Sequence, residues 1–240
     1  MFLTAKSSAL YIRNNPSTTV KEIVKRYLRL INQDGMIDQD FRVIFEDDCL
    51  ADSLFMKWPK YATKIMEFAE KTVNWRQQLD ISADLMTDEH IHNVALQVLP
   101  VLFPTGIQVE KQRKKMKRAT QEEALTAFVQ FEPMGTNLPT ILETKKEYTQ
   151  PHLLCLGDDR RNLQQTFVIV EENAIPCPSF IKGVDTCFKL TYVMDIHYQW
   201  QCSNTWDFLQ KVVYELGKGK GRAMSSLSVI ELKNYLSPRK

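Results

Sequence analysis

The sequence predicts an α+β protein in which a helical N-terminal half is followed by a module ordered β-β-α-β-α. Apolar residues recur at helical spacing through the first half, whereas β-branched and alternating runs begin only near residue 150. The composition, 44% hydrophobic and 25% charged over 240 residues, is typical of a chain with a packed core. It excludes a disordered or collagen-like chain.

Helix signals divide the first 110 residues, which we interpret as a helical domain. Thr19 and Glu22 have the spacing of a capping box, apolar residues follow from 20 to 31, and Gly35 is a plausible end. Trp58-Pro59 is expected to open a second helix, because proline is tolerated at the first helical position.

Thr87 is expected to begin a third helix, which Pro100 and Pro104 would end. Residues 111–149 are interpreted as a basic linker with connecting helices. There, Thr120 and Glu123 repeat the capping-box spacing before apolar residues that reach Val129 at helical intervals. A short helix is predicted from residue 139 to 146.

The third part, residues 150–240, is predicted to be an α+β module. Residues 152–156 and 167–170 are apolar runs typical of strands, and residues 180–192 return to helical spacing. Residues 193–200 alternate in polarity, which predicts a half-buried strand. Asn204 is expected to cap the following helix, and a last helix is predicted from 227 to 236, beyond a Gly-Lys connector at 217–222.

The positive charge is concentrated in one short segment. Residues 1–110 carry a net charge of −3 and residues 119–240 a net charge of −1, so the eight residues between them carry +6. Such a run is suited to an import receptor or to phosphate groups, or it is a solvated loop. The candidate binding residues are Lys111, Arg113, Lys114, Lys115, Lys117 and Arg118.

Six spans occur in an order that resembles a known family. The spans are Leu54–Lys60, Leu99–Pro104, Gln121–Phe131, Gln150–Gly157, Phe167–Val170 with Ile175–Cys177, and Phe208–Tyr214. In these spans the chain is similar to the C-terminal region of uncharacterised vertebrate sterile alpha motif domain-containing proteins, which are abundant in fish. The motif itself would lie upstream, so a truncated or stand-alone form is expected. The resemblance implies an interaction or scaffold role and supplies no catalytic residue.

Several polar groups are candidates for a metal or catalytic site. His90 and His92 would point to different faces of a helix, so a shared metal ion is not expected. Four of the five cysteines fall between residues 155 and 202 with no Cys-x-x-Cys spacing, which argues against structural zinc. They are Cys155, Cys177, Cys187 and Cys202.

Asp195 and His197 would share one face of the predicted strand, where a carboxylate could orient an imidazole as a base. No Gly-x-Ser-x-Gly motif accompanies them. The Gly-Lys run at 217–222 lacks the serine or threonine of a phosphate loop. We therefore expect no catalytic site, no metal and no cofactor.

These observations predict a non-enzymatic intracellular protein-interaction or scaffold module. Trp200 and Trp206 are predicted to flank one corner, and core packing or, if exposed, a partner patch would explain them. The alternative is a nuclear nucleic-acid-binding protein that uses the basic run 111–118. No apolar run is long enough to cross a membrane, and five scattered cysteines favour a reducing compartment, the cytoplasm or nucleus.

Overall fold

The computed structural model describes residues 2–82, 86–110, 115–144, 150–217 and 225–237. In the described part of the chain, all elements up to residue 102 are helices. They are α1 (Phe2–Asn14), α2 (Val20–Arg26), α3 (Arg29–Asn32), α4 (Met36–Phe45), α5 (Asp48–Ala51), α6 (Ser53–Thr72), α7 (Trp75–Leu79) and α8 (Asp88–Leu102).

Strands begin at residue 107, and the remaining elements are a mixture of strands and helices. In order they are β1 (Ile107–Glu110), β2 (Lys115–Arg118), α9 (Gln121–Phe128), β3 (Val129–Glu132), α10 (Leu138–Thr144), β4 (His152–Gly157), β5 (Leu163–Val170), β6 (Asn173–Cys177), α11 (Phe180–Val193), a 3₁₀ turn (Trp200–Cys202), α12 (Ser203–Phe208), a π-helical segment (Leu209–Val213) and α13 (Leu227–Leu236). The α+β class, with helices first and a mixed sheet later, is confirmed.

The main sheet has four strands in the order β3-β4-β5-β6. β3 runs parallel to β4, while β5 is antiparallel to both β4 and β6. Every residue of β4 is buried, because side chains on one face meet the main core and Leu154 and Leu156 on the other meet residues of α10. Burial on both faces explains why β4 is a continuous apolar run.

One hydrophobic core joins the N-terminal helices to the C-terminal module. Phe41 of α4 lies 6.4 Å from the ring of Phe188 and 5.9 Å from that of Tyr192, both on α11. The indole of Trp58 donates to the carbonyl of His92 over 3.1 Å. The division at residues 1–110, 111–149 and 150–240 stays a prediction, and the packing makes the first and third parts one core.

Two prolines lie inside helices that they were expected to open or end. Pro59 lies within α6, which begins at Ser53, and Pro100 lies within α8, which ends at Leu102. Both expectations were wrong because burial of the helical faces outweighs the cost of about 3 kcal/mol for an interior proline. The buried stripe of α6 includes Leu54, Trp58, Ala62, Ile65 and Ala69.

The strand expected at 193–200 does not form. Helix α11 continues to Val193, Asp195 takes a left-handed φ of 51°, and Ile196 N–H donates back to Thr191. Tyr198 then enters the core, with its ring 5.8 Å from that of Trp206. The alternation in sequence does not correspond to alternating burial, because Val193 and Gln199 of the predicted polar face are buried along with Tyr198.

The sheet gains its other strands where none was expected. Helix α9 ends at Phe128, and the next residues enter β3 instead of continuing the helix through Val129. Residues 173–177, for which no separate strand was predicted, form β6. The strands predicted at 152–156 and 167–170 are confirmed within β4 and β5. In the described part of the chain, no helix has the length and apolar character needed to cross a bilayer.

Candidate functional site

A two-stranded hairpin contains the end of the basic run. β1 and β2 pair antiparallel, with Ile107 opposite Arg118 and Val109 opposite Met116. The alternating residues 107–110 provide the first strand, a signal that the basic run beside it obscured. Of the candidate binding residues, Lys111, Arg113 and Lys114 lie outside the described residues. Lys115, Lys117 and Arg118 belong to β2.

Backbone contacts fix the base of the hairpin to the 3₁₀ turn. Gly106 N–H donates to the carbonyl of Gln201 over 2.8 Å, and Ala119 N–H donates to Gly106 over 3.0 Å. A Cβ atom on Gly106 would lie 1.6 Å from the carbonyl oxygen of Trp200. Only glycine permits this approach of two backbones. The hairpin therefore projects from a defined anchor.

Two of the predicted basic contacts are made within the chain. Lys117 Nζ lies 3.1 Å from Glu123 Oε1 and 5.7 Å from the centre of the Trp200 ring. The Thr120 backbone N–H and the Lys117 ammonium lower the pKa of Glu123. Arg118 donates to the carbonyl of Thr105 over 3.3 Å. These side chains hold the hairpin against α9 and the 3₁₀ turn.

The hairpin also exposes two apolar side chains. Val109 is 58% exposed and Met116 is 69% exposed, and they face each other across the two strands. Cross-strand partners share one face of a hairpin, so the two form a single apolar surface. We call Val109 and Met116 the apolar pair. Attention to charge alone missed it, although both residues are visible in the sequence.

The two tryptophans of the predicted partner patch have different surroundings. Trp206 is 1% exposed and packs between the rings of Phe128 and Tyr198. Its inclusion in a partner patch is wrong, because the core covers the indole. Trp200 is partly buried, at the hairpin base, with the Lys117 ammonium over its ring.

The groups weighed for catalysis or metal binding do not converge. Asp195 and His197 lie on no strand, so the expected shared face is wrong. His90 takes part in the capping box of α8 with Thr87. Among the described residues, no three histidine, cysteine or acidic side chains are grouped to hold a metal ion.

The four cysteines from residue 155 onward are mostly buried thiols. Burial raises the pKa of Cys155 and of Cys202 to about 12, and that of Cys177 to about 11. Cys187 is also fully buried, and its pKa is raised for the same reason. A thiol with such a pKa is protonated at neutral pH and is a poor nucleophile or metal ligand.

A ring of four charges lies between α4 and α11, with Asp185 and Lys189 buried and Asp38 and Lys182 partly exposed. Lys182 and Lys189 each contact both Asp38 and Asp185, with 2.9 Å and 2.7 Å to the Asp185 carboxylate. Tyr214 donates to Asp185 over 2.7 Å. We call Asp38, Lys182, Asp185 and Lys189 the charge ring. Sequence reasoning missed it, because Asp38 is 144 residues from Lys182.

A cavity of about 530 Å³ opens beside the charge ring. Its lining includes Asp38 and Lys182 together with Pro176, Cys177 and Thr186. Asp38 and Lys182 are paired with each other, and the third charged lining residue, Asp34, is exposed at the surface. The ring therefore joins α4 to α11, and we assign it a structural role.

The charge ring predicts how stability depends on pH. Burial opposes ionisation of Asp38, but Lys182 and Lys189 outweigh it and lower its pKa below 3.8. Burial likewise opposes the charged Lys182, but Asp185 and Asp38 raise its pKa above 10.5. A group whose pKa is lowered by folding stabilises the fold at pH values above its unfolded-state pKa. A group whose pKa is raised by folding stabilises the fold at pH values below its unfolded-state pKa. We expect the ring to contribute fully between about pH 5 and pH 10.

Urea unfolding at a series of pH values tests this expectation. Stability should fall as the pH drops through the folded-state pKa of Asp38, because the carboxylate is then protonated in both states. Asp38→Asn should flatten the acid side of the profile. An acid limb of unchanged slope in the variant would contradict the assignment.

The fold and the hairpin together define an α+β protein that presents an anchored, basic-edged β-hairpin. Comparisons with family models, with curated proteins and with solved structures returned no match. The resemblance to proteins with a sterile alpha motif stays a prediction, and the geometry of the hairpin is the basis for a functional proposal.

Proposed function

We propose that this protein is a non-enzymatic, intracellular protein-binding module that contacts its partner through the hairpin. The observation that carries the proposal is the apolar pair, Val109 and Met116, held in solvent by an anchored hairpin. Methionine and arginine are enriched at protein interfaces, and Arg118 lies on the same face as the pair. A fixed backbone also lowers the entropy lost on binding.

The second candidate is a nuclear nucleic-acid-binding protein. A two-stranded ribbon is a form that can enter a DNA groove, and the basic run lies partly on such a ribbon. The same ribbon also exposes the apolar side chains of Val109 and Met116, which favour a protein partner and so the first candidate. Both candidates are compatible with the cytoplasm or nucleus, and the basic run would serve import in either case.

Photo-crosslinking of the full chain tests the proposal. A benzophenone amino acid at position 116 should give discrete crosslinked proteins in cell extract, because this side chain would lie in the interface. The matched control is position 56, also a methionine and 67% exposed, but on α6. Crosslinks of equal pattern at both positions, or crosslinks to nucleic acid alone, would contradict the proposal.

A further inference from the structure

We infer that the partner contributes an extended acidic segment, which adds to the outer edge of β2 as a third strand. The inference rests on the proposed function and names the chemistry of its partner. Three features carry it: the direction of the backbone groups of β2, the lack of a paired strand at its edge among the described residues, and its charge.

The register shows which backbone groups face outward. Ala119 N–H donates to Gly106, which makes these two residues a hydrogen-bonded pair. Hydrogen-bonded and non-hydrogen-bonded pairs alternate along an antiparallel ladder. The pairs Ile107–Arg118 and Val109–Met116 are therefore non-hydrogen-bonded. The N–H and C=O groups of Met116 and Arg118 point away from β1, toward the open edge.

No strand in the described part of the chain pairs with this edge. β1 and β2 form a sheet of only two strands, and no backbone hydrogen bond joins Met116 or Arg118 to another element there. An edge of unpaired backbone groups is a template for another strand. In contrast, the last strand of the main sheet carries Pro176, which has no N–H to donate.

Charge decides which strand fits. β2 reads Lys-Met-Lys-Arg. A second copy of β2 paired antiparallel would place lysine or arginine opposite basic residues, and like charges directly opposite destabilise a sheet. An acidic strand reverses the sign of these contacts. The fitting segment has one apolar residue opposite Met116 and acidic residues on both sides of it.

The side chains of β2 remain available to such a strand. Lys117 is paired with Glu123 on one face, yet more than half of its side chain is exposed. Met116 and Arg118 lie on the other face beside Val109. An added strand would thus meet positive charge on both faces and the apolar pair on one. This recognition mode gives affinity through main-chain hydrogen bonds and specificity through alternate side chains.

A labelled peptide, Gly-Glu-Glu-Ile-Glu-Glu-Gly, titrated against the full chain by fluorescence anisotropy tests the inference. We expect saturable binding that weakens as salt is raised, since exposed charges are screened. Met116→Pro should lower affinity at least tenfold, because it removes an outward N–H that the hairpin itself does not use. The matched control is Leu227→Pro, an exposed first position of α13 where proline is tolerated.

The backbone of the peptide provides a second readout. N-methylation at the isoleucine and at the adjacent glutamate should differ sharply, because alternate N–H groups of an added strand face β2. Equal effects of the two methyl groups would overturn strand addition. Circular dichroism of Met116→Pro shows whether the variant is folded, and the methylated peptides test the wild-type chain directly.

The possible failures are distinguishable. Crosslinking at position 116 without binding of the acidic peptide would overturn the acidic strand and leave the proposed function standing. Binding of the lysine version of the peptide, Gly-Lys-Lys-Ile-Lys-Lys-Gly, with equal affinity would overturn the charge argument. Binding of duplex DNA but not of peptide, with no protein crosslinks, would overturn both the inference and the proposed function.

Discussion

Lys189→Met is expected to lower the free energy of unfolding by about 3–5 kcal/mol, the typical cost of removing one partner from a buried ion pair. Lys189 is 1% exposed and Asp185 is fully buried, 2.7 Å away. Without the lysine, Asp185 keeps its hydrogen bond from Tyr214 and its contact with Lys182. Asp38 also keeps its contact with Lys182, so a single lysine would then face two carboxylates.

Guanidinium unfolding measures this loss, and Lys6→Met provides the matched control. Lys6 is exposed and 3.4 Å from Glu46, so the control should change stability by no more than about 0.5 kcal/mol. Asp185→Leu combined with Lys189→Met should cost less than the sum of the single changes, because residues in one network couple. A single-variant loss near that of Lys6→Met would show that the ring does not join α4 to α11.

Gly106→Ala is expected to displace the hairpin. The added Cβ would meet the Trp200 carbonyl oxygen at 1.6 Å, and both groups belong to backbone that is hydrogen-bonded nearby. One of the two backbones has to move, which breaks the bond from Gly106 to Gln201 and costs about 1–3 kcal/mol, as overpacking does. We also expect crosslinking from position 116 to fall at least tenfold.

The matched control is Gly217→Ala, where an added Cβ has nothing within 4 Å. Thermal unfolding and crosslinking should both be unchanged in this variant. Loss of crosslinking in Gly106→Ala with a stable remainder of the fold would tie function to the hairpin anchor. Wild-type stability and crosslinking in Gly106→Ala would refute the anchor.

Local signals in the sequence predicted local structure well. The capping boxes at Thr19–Glu22 and Thr120–Glu123 form as expected, since each needs only residues three apart. The predicted strand at 193–200 and the roles of Pro59 and Pro100 were wrong. In each of those segments, burial against distant elements determines the conformation. The local sequence does not show which distant elements will pack against it.

The site was only partly predictable for the same reason. The basic run was identified from its charge, but the exposure of Val109 and Met116 depends on where the hairpin lies. The sequence left core packing and a partner patch open for Trp206, and the contacts with Phe128 and Tyr198 place it in the core. The charge ring unites side chains from α4 and α11 that no pattern along the chain connects.

By itself, the sequence determined the α+β class, most helix positions, two strands of the main sheet and the location of the positive charge. These follow from periodicity, capping and composition, which act over a few residues. Only the tertiary structure decided which apolar and charged side chains are covered. Burial depends on contacts between segments that are distant in sequence. These contacts place Trp206 in the core, pair Asp38 of α4 with the lysines of α11, and leave Met116 exposed.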